Sequence, residues 1–322
     1  MRYIKIKKRT AFTMIELVFV IIVMGIIGKF GVEFLAQAYR SFISTSVNHT
    51  LQSNSSAAVE FVATRLQHRI KASTVARETN ATISPQFSLL SDYYNKTAPI
   101  IEWIGADIDG IRDGTLPLWS GVIDLNSTIS NATQLFSPAT DTSTINTLIQ
   151  SLSHAAAIQN DMAIYFVNPD AVPDVNRWGW DANVTRFDLQ SNVNIHPVIS
   201  NAGNVGDFLP VTSDPAVGNS FSGVTAYEYY QLAWTAYAVG INDWNAGTGT
   251  GTLTLWYDYQ PWKGERYTSA TTKSATIMEN VSSFRFIASE SVVKIQVCVK
   301  SFIVNGDADD GGYSICKEKT VF

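Results

Sequence analysis

The sequence predicts an α+β fold: a long N-terminal helix, half transmembrane and half amphipathic, packed on an antiparallel β-sheet, with a large inserted loop and strand region. Three observations carry this. An apolar run begins at Phe12, and no proline interrupts the chain before Pro85. After Thr79, Pro, Gly, Asn, Asp and Ser punctuate short runs of β-branched and aromatic residues. Near the C-terminus Val292–Lys300 alternates, with Val293, Ile295, Val297 and Val299 on one face and Lys294, Gln296, Cys298 and Lys300 on the other.

Residues 1–11, MRYIKIKKRTA, carry Arg2, Lys5, Lys7, Lys8 and Arg9 and no acid. A cationic stretch before an apolar run keeps the positive side in the cytoplasm. Residues 12–35 form the hydrophobic segment. Phe12 to Gly28 would span about 25 Å as a helix, slightly short of the ~20 residues a bilayer asks for. The helix is therefore expected to continue through Lys29 and Glu33 to Leu35, with Lys29 snorkelling toward the interface. Glu16 stands out, because a carboxylate in hydrocarbon costs roughly 2.5–3.5 kcal/mol and needs a partner. Residues 36–79 continue as an amphipathic helix. From Phe30 to about Val75, apolar residues such as Phe34, Phe42, Ala58, Val62, Leu66 and Ile70 recur mostly at three- and four-residue steps.

Residues 80–322 read as a β-rich head. Expected strands are Pro99–Ile104, Gly121–Leu125, Met162–Val167, Ala233–Val239, Thr252–Tyr259, Val281–Ile287, Val292–Lys300 and Tyr313–Glu318. The Ser/Thr/Asn-rich stretch Asn126–Thr147 reads as loops or an inserted subdomain. Gly247, Gly249 and Gly251 precede a strand and read as a hairpin loop, since a phosphate cradle needs a helix N-terminus.

The N-terminal residues also carry a resemblance. Phe12-Thr13-Met14-Ile15-Glu16, after a small residue and a Lys/Arg-rich leader, is similar to the signal of the type IV prepilin family. The resemblance implies cleavage between Ala11 and Phe12 by a prepilin peptidase, with N-methylation of Phe12. Family members usually have Gly before the cut, and this chain has Ala11. The resemblance also gives Glu16 an assembly role, pairing with the N-terminal amine of a neighbouring subunit. An ordinary signal peptide would place an A-x-A-like cut after the apolar run, where Gly28-Lys29-Phe30-Gly31-Val32-Glu33 fits poorly. The last 70 or so residues resemble the sheet region of large minor pilins (W-type) and minor pseudopilins of type II secretion (J-type). The family implies a pilin-like fold and an inner-membrane protein with its head in the periplasm. It then joins a pilus or pseudopilus at low copy near the tip or in priming, with other pilins or pseudopilins as partners. Two alternatives remain: an adhesion or DNA-uptake tip component with an aromatic-rich binding head, and a single-pass envelope enzyme that never polymerises.

The formal net charge of −5 is uneven, since the leader is wholly basic and the rest more acidic still. An acidic head repels phosphates, so no nucleic acid is expected as a partner of the head as a whole. No GxSxG, HExxH, CxxC or Walker A pattern occurs, and the chain is not expected to be an enzyme. Cys298 and Cys316 read as a disulfide if this part of the chain is exported. Between them, Asp307, Asp309 and Asp310 on a Gly-rich turn are candidate Ca²⁺ ligands, Ca²⁺ being the one cofactor considered. Trp178 and Trp180 read as core rings, with an exposed stacking platform as the alternative. Asn80, Asn126 and Asn183 each have an acid two residues before and Thr two residues after, which resembles the extended acceptor of bacterial N-glycosylation.

Overall fold

The structure is a computed structural model. It describes residues 13–79, 86–90, 98–112, 114, 116–153, 161–168, 174–180, 190–212, 219–289, 292–301 and 314–322. The chain divides into two units, Met1–Leu51 with Ser301–Tyr313, and Gln52–Lys300 with Ser314–Phe322. The described part of the first is mainly helix. The second, called the head below, holds every strand among the described residues.

Helix α1 runs from Met14 to Gln67. The strands follow as β1 (Val75–Arg77), β2 (Phe87–Leu89) and β3 (Ile100–Gly105). A short helix α2 (Asp109–Arg112), β4 (Leu135–Phe136) and helix α3 (Thr142–Leu152) come next. Then come β5 (Ala163–Phe166), β6 (His196–Ser200), β7 (Asp207–Pro210) and β8 (Tyr230–Ala233). The chain closes with β9 (Thr235–Asn245), β10 (Thr250–Tyr259), β11 (Lys273–Ser289), β12 (Val292–Lys300) and β13 (Ser314–Val321). Eight strands form one sheet in the order β13-β12-β11-β10-β9-β3-β1-β2, and five form a second in the order β4-β7-β6-β5-β8. Every pairing is antiparallel.

The helix ends at Gln67, short of the Val75 to which the apolar pattern extends. Its last backbone groups are taken over by the sheet. Ile70 N–H donates to Ile104 O at 2.9 Å, Ala106 N–H donates to His68 O at 2.8 Å, and Arg69 bridges Gly105. The final turn is satisfied by Arg69 Nη1, which donates to Leu66 O at 2.6 Å. Within the head the helix buries one stripe, Ser55, Ala58, Val59, Val62, Ala63 and Leu66, spaced as a single face of an α-helix. Arg65 Nη1 donates to Tyr237 Oη of β9 at 3.3 Å, and Glu60 pairs with Lys319 of β13. The predicted packing of helix on antiparallel sheet is therefore present. Phe61 belongs to the apolar pattern, but it lies outside this stripe and is 41% exposed beneath Arg65.

The inserted region is a subdomain built on its own sheet. β3 and β9 are direct neighbours in the large sheet, with Trp103 opposite Tyr237, and residues 106–234 between them carry the smaller sheet. β5 has all four residues buried, so it has no polar face. Ala163 and Tyr165 join a core shared with Ile100 and Ile104 of β3 and Ala236 and Ala238 of β9. Ile164 and Phe166 join a second core with Ile145 and Ile149 of α3. The head is thus layered as helix, large sheet, small sheet and helix.

Most of the expected strands exist, with boundaries moved by a few residues. Gly121–Leu125 is a correction. It is no strand and makes only an isolated bridge, Val122 to Tyr229, because Gly121 adopts φ +74° and turns the chain. The glycine-rich segment is the turn of the β9–β10 hairpin, as expected. Within Asn126–Thr147, the end of the segment starts α3. Asp141 caps it, accepting from Thr144 N–H at 2.9 Å and from Thr144 Oγ1 at 2.7 Å.

Candidate functional site

The strongest candidate is the first half of α1. Every side chain from Thr13 to Phe42 is exposed apart from Val23, including Phe19, Phe30 and Phe34. The helix is long and apolar enough to cross a membrane, and none of its most apolar stretch is buried. This exposed area is far beyond what a soluble surface ordinarily carries. The only ion pair described within this segment is Lys29 with Glu33, one turn apart at 3.8 Å.

Glu16 lies in the first turn. Its Oε2 accepts from Thr13 N–H and from Thr13 Oγ1, each at 3.0 Å. This is one half of a capping box, in which a carboxylate three residues into the helix satisfies the N-cap amide. In the isolated chain the carboxylate is therefore held at the helix start by its own neighbour and stays exposed. Ala11 and Phe12, the predicted processing residues, lie outside the described residues.

Cys298 and Cys316 face each other in register on β12 and β13 and are joined by a disulfide. They sit on the polar face of β12, where Lys294 also pairs with Glu318 at 2.8 Å. The expected alternation of β12 holds, with Val293, Ile295, Val297 and Val299 all buried. Asp307, Asp309 and Asp310 lie outside the described residues, as do Asn80 and Asn183. Among the described residues no group of three or more His, Cys, Asp or Glu is arranged to hold a metal. Asn126 is exposed in a turn, its N–H donating to Asp124 Oδ1 at 3.0 Å.

Trp178 and Trp180 are each 1% exposed, so they form no surface platform. Trp178 packs on Tyr165 with centroids 5.3 Å apart, and Trp180 Nε1 donates to Ser73 O at 3.0 Å. Beside them lies a polar cluster that gives no sequence signal. Arg77 pairs with the fully buried Glu102, and Tyr259 Oη donates to Glu102 Oε2 at 3.0 Å. Arg77 also donates to Trp180 O at 3.3 Å and lies 5.3 Å over the Phe87 ring. Burial pulls the Arg77 guanidinium pKa down, but the Glu102 carboxylate outweighs it and the net shift is up. Tyr259 is pushed well above the usual phenol value by burial and by Glu102. Each carboxylate oxygen of Glu102 has its donor, so the cluster ties three strands of the large sheet to Trp180 of the inserted region and offers no free base.

A cavity of about 260 Å³ opens beside β5 and β6. His196, Arg177, Tyr165 and Tyr227 are among its lining residues, and among the described residues no Asp or Glu lines it. Gln190 Nε2 donates to Pro197 O at 2.9 Å and to Val211 O at 2.6 Å. With both amide hydrogens used, Gln190 Oε1 must accept from His196 Nδ1, 3.1 Å away. That network assigns the Nδ1–H tautomer and leaves Nε2 as an acceptor. Burial lowers the His196 pKa to about 4, so the ring is neutral at physiological pH. No periodicity or motif in the sequence marks these residues, because segments far apart in the chain bring them together.

Comparison with protein-family models, with curated proteins and with solved structures finds no match for this chain.

Proposed function

We propose that the chain is a prepilin-like subunit, a large minor pilin or minor pseudopilin, that assembles through the first half of α1 into a type IV pilus or type II secretion pseudopilus. The observation that carries this reading is the contrast within one helix. Residues 55–66 bury a narrow stripe against the head, whereas Met14 to Phe42 expose apolar side chains on all sides. A stripe is enough for a helix on a sheet, but an all-round apolar surface requires lipid or other apolar helices. A membrane span that later packs laterally against identical or related spans meets both requirements in turn. The basic leader ahead of it and the acid at Glu16 give the span a polarity and a charge to match in a neighbour.

In this reading Ala11–Phe12 is cut on the cytoplasmic side and the new amine at Phe12 becomes the partner of Glu16 in an adjacent subunit. The Glu16 carboxylate then exchanges its two Thr13 donors for an amine in a low-dielectric layer, where opposite charges attract strongly. Mass spectrometry of the mature N-terminus tests the first step. The expected result is a chain that starts at N-methylated Phe12, and a start near residue 31 overturns the reading. Glu16→Ala tests the second. Cleavage and membrane insertion are expected to stay near wild type, since the side chain is exposed in the isolated chain. Incorporation into sheared filament fractions should fall by roughly a hundredfold, the cost of an unpaired charge in hydrocarbon. Incorporation at the wild-type level removes the role of Glu16.

A further inference from the structure

The cavity beside β5 and β6 holds two unmatched groups. Arg177 is half-buried in its wall, and among the described residues its guanidinium meets no carboxylate and makes no side-chain hydrogen bond. His196 is only 5% exposed, and its Nε2 has no hydrogen-bond partner among the described residues. A partly desolvated cation and an imidazole acceptor in the cavity wall can each take up a complementary ligand group. The remaining wall is mixed. Tyr227 is a half-buried aromatic residue of the wall, and Ser191 and Thr225 supply hydroxyls.

These features select a ligand. The Arg177 fork matches a carboxylate bidentately, and among the described residues no acid in the wall competes for it. The His196 Nε2 lone pair needs a donor, which a hydroxyl provides. Aromatic residues beside hydroxyls suit a ring that is apolar on its faces and hydroxylated at its edge. A hydrocarbon side chain would leave those hydroxyls and the imidazole facing apolar atoms. At about 260 Å³ the space is below the usual range for drug-sized ligands and suits a single sugar ring.

We propose that this cavity is a binding site for a carboxylated sugar ring, a uronic acid unit, with Arg177 on the carboxylate and His196 on a ring hydroxyl. The site is independent of filament assembly, so it stands or falls apart from the function proposed above. The test is calorimetric titration of the full chain in detergent micelles with glucuronate, glucose and acetate at matched ionic strength. Glucuronate should saturate the site in the millimolar range. Glucose and acetate should each bind at least about tenfold more weakly, because each lacks one half of the recognition. Arg177→Gln should reduce glucuronate to the level of glucose. Tyr227→Ala, a half-buried position, should weaken glucuronate and glucose alike. Three results each overturn the proposal: no saturation by tens of millimolar glucuronate, acetate binding as tightly as glucuronate, or Arg177→Gln with wild-type glucuronate affinity.

Discussion

His196 sits neutral inside the head, and that protonation state makes stability depend on pH. Its folded pKa is about 4, against 6.5 for the free side chain. A depressed histidine pKa means the unfolded chain binds the proton more readily. The stability it contributes is complete above pH 6.5 and is lost progressively as pH falls toward 4. The slope in that window is about 1.4 kcal/mol per pH unit, for a total on the order of 3 kcal/mol. Asp107 opposes this, since burial raises its pKa and favours the protonated form in the fold. Comparison with His196→Asn separates the two, because Asn keeps a donor for Gln190 but does not titrate. Denaturation between pH 7 and 4 should show a steeper loss in the wild type than in the variant. Equal slopes would mean that His196 is not buried as described. At this scale legibility followed local context. Glu16 could be singled out because a charge inside an apolar run is anomalous on sight. His196, Arg77 and Glu102 could not, since each acquires its meaning from residues distant in sequence.

Helix α1 has two halves with different surroundings, and point substitutions should distinguish them. Leu66 is fully buried against the sheet, whereas Leu35 is 70% exposed. Leu66→Ala should destabilise the head by about 2–5 kcal/mol through the lost contacts and the cavity left behind. Leu35→Ala should leave the stability of the head within about 0.5 kcal/mol. Chemical denaturation of the full chain in micelles, followed by tryptophan fluorescence, reports both. Equal losses would mean that the first half is also packed in the head. The helix and the alternating strand β12 were readable because their periods are set by local geometry. β6 and β7 were not, since Pro197 and Pro210 lie inside them and proline is a poor strand signal. α3 was hidden by its Ser/Thr-rich composition, although Asp141 followed by Ile145, Leu148 and Ile149 carries a cap and an apolar spacing.

The molecule's head is one mechanical piece because β5 has no free face. Ala163 and Tyr165 belong to the core between the sheets, and Ile164 and Phe166 belong to the core under α3. The Arg77–Glu102–Tyr259 cluster lies in the inter-sheet core, with Trp180 of the inserted region as its further acceptor. The two sheets should therefore open together. Hydrogen exchange should give amides of β5 and β9 similar opening free energies, and Tyr165→Ala should lower both by the same amount. Faster exchange confined to the smaller sheet would show instead that the insertion unfolds alone. The sequence indicated an insertion by length and composition, but it could not show that β3 and β9 are neighbours across it. Strand partners are fixed by packing, and nothing local in either strand names the other.

Glu60 of α1 pairs with Lys319 of β13, 259 residues later in the chain. This fixes an order in time. The amphipathic stripe of the helix leaves the ribosome some 259 residues before the strand that flanks it. At about 5–20 residues per second the delay is on the order of tens of seconds. During that interval Ala58, Val62 and Leu66 have no complete sheet to cover them. A newborn chain therefore carries two uncovered apolar surfaces, the first half of α1, which stays exposed in the folded chain, and the stripe, which is uncovered only until β13 is made. Deletion of β13 alone would turn the transient one into a standing target for chaperones and proteases.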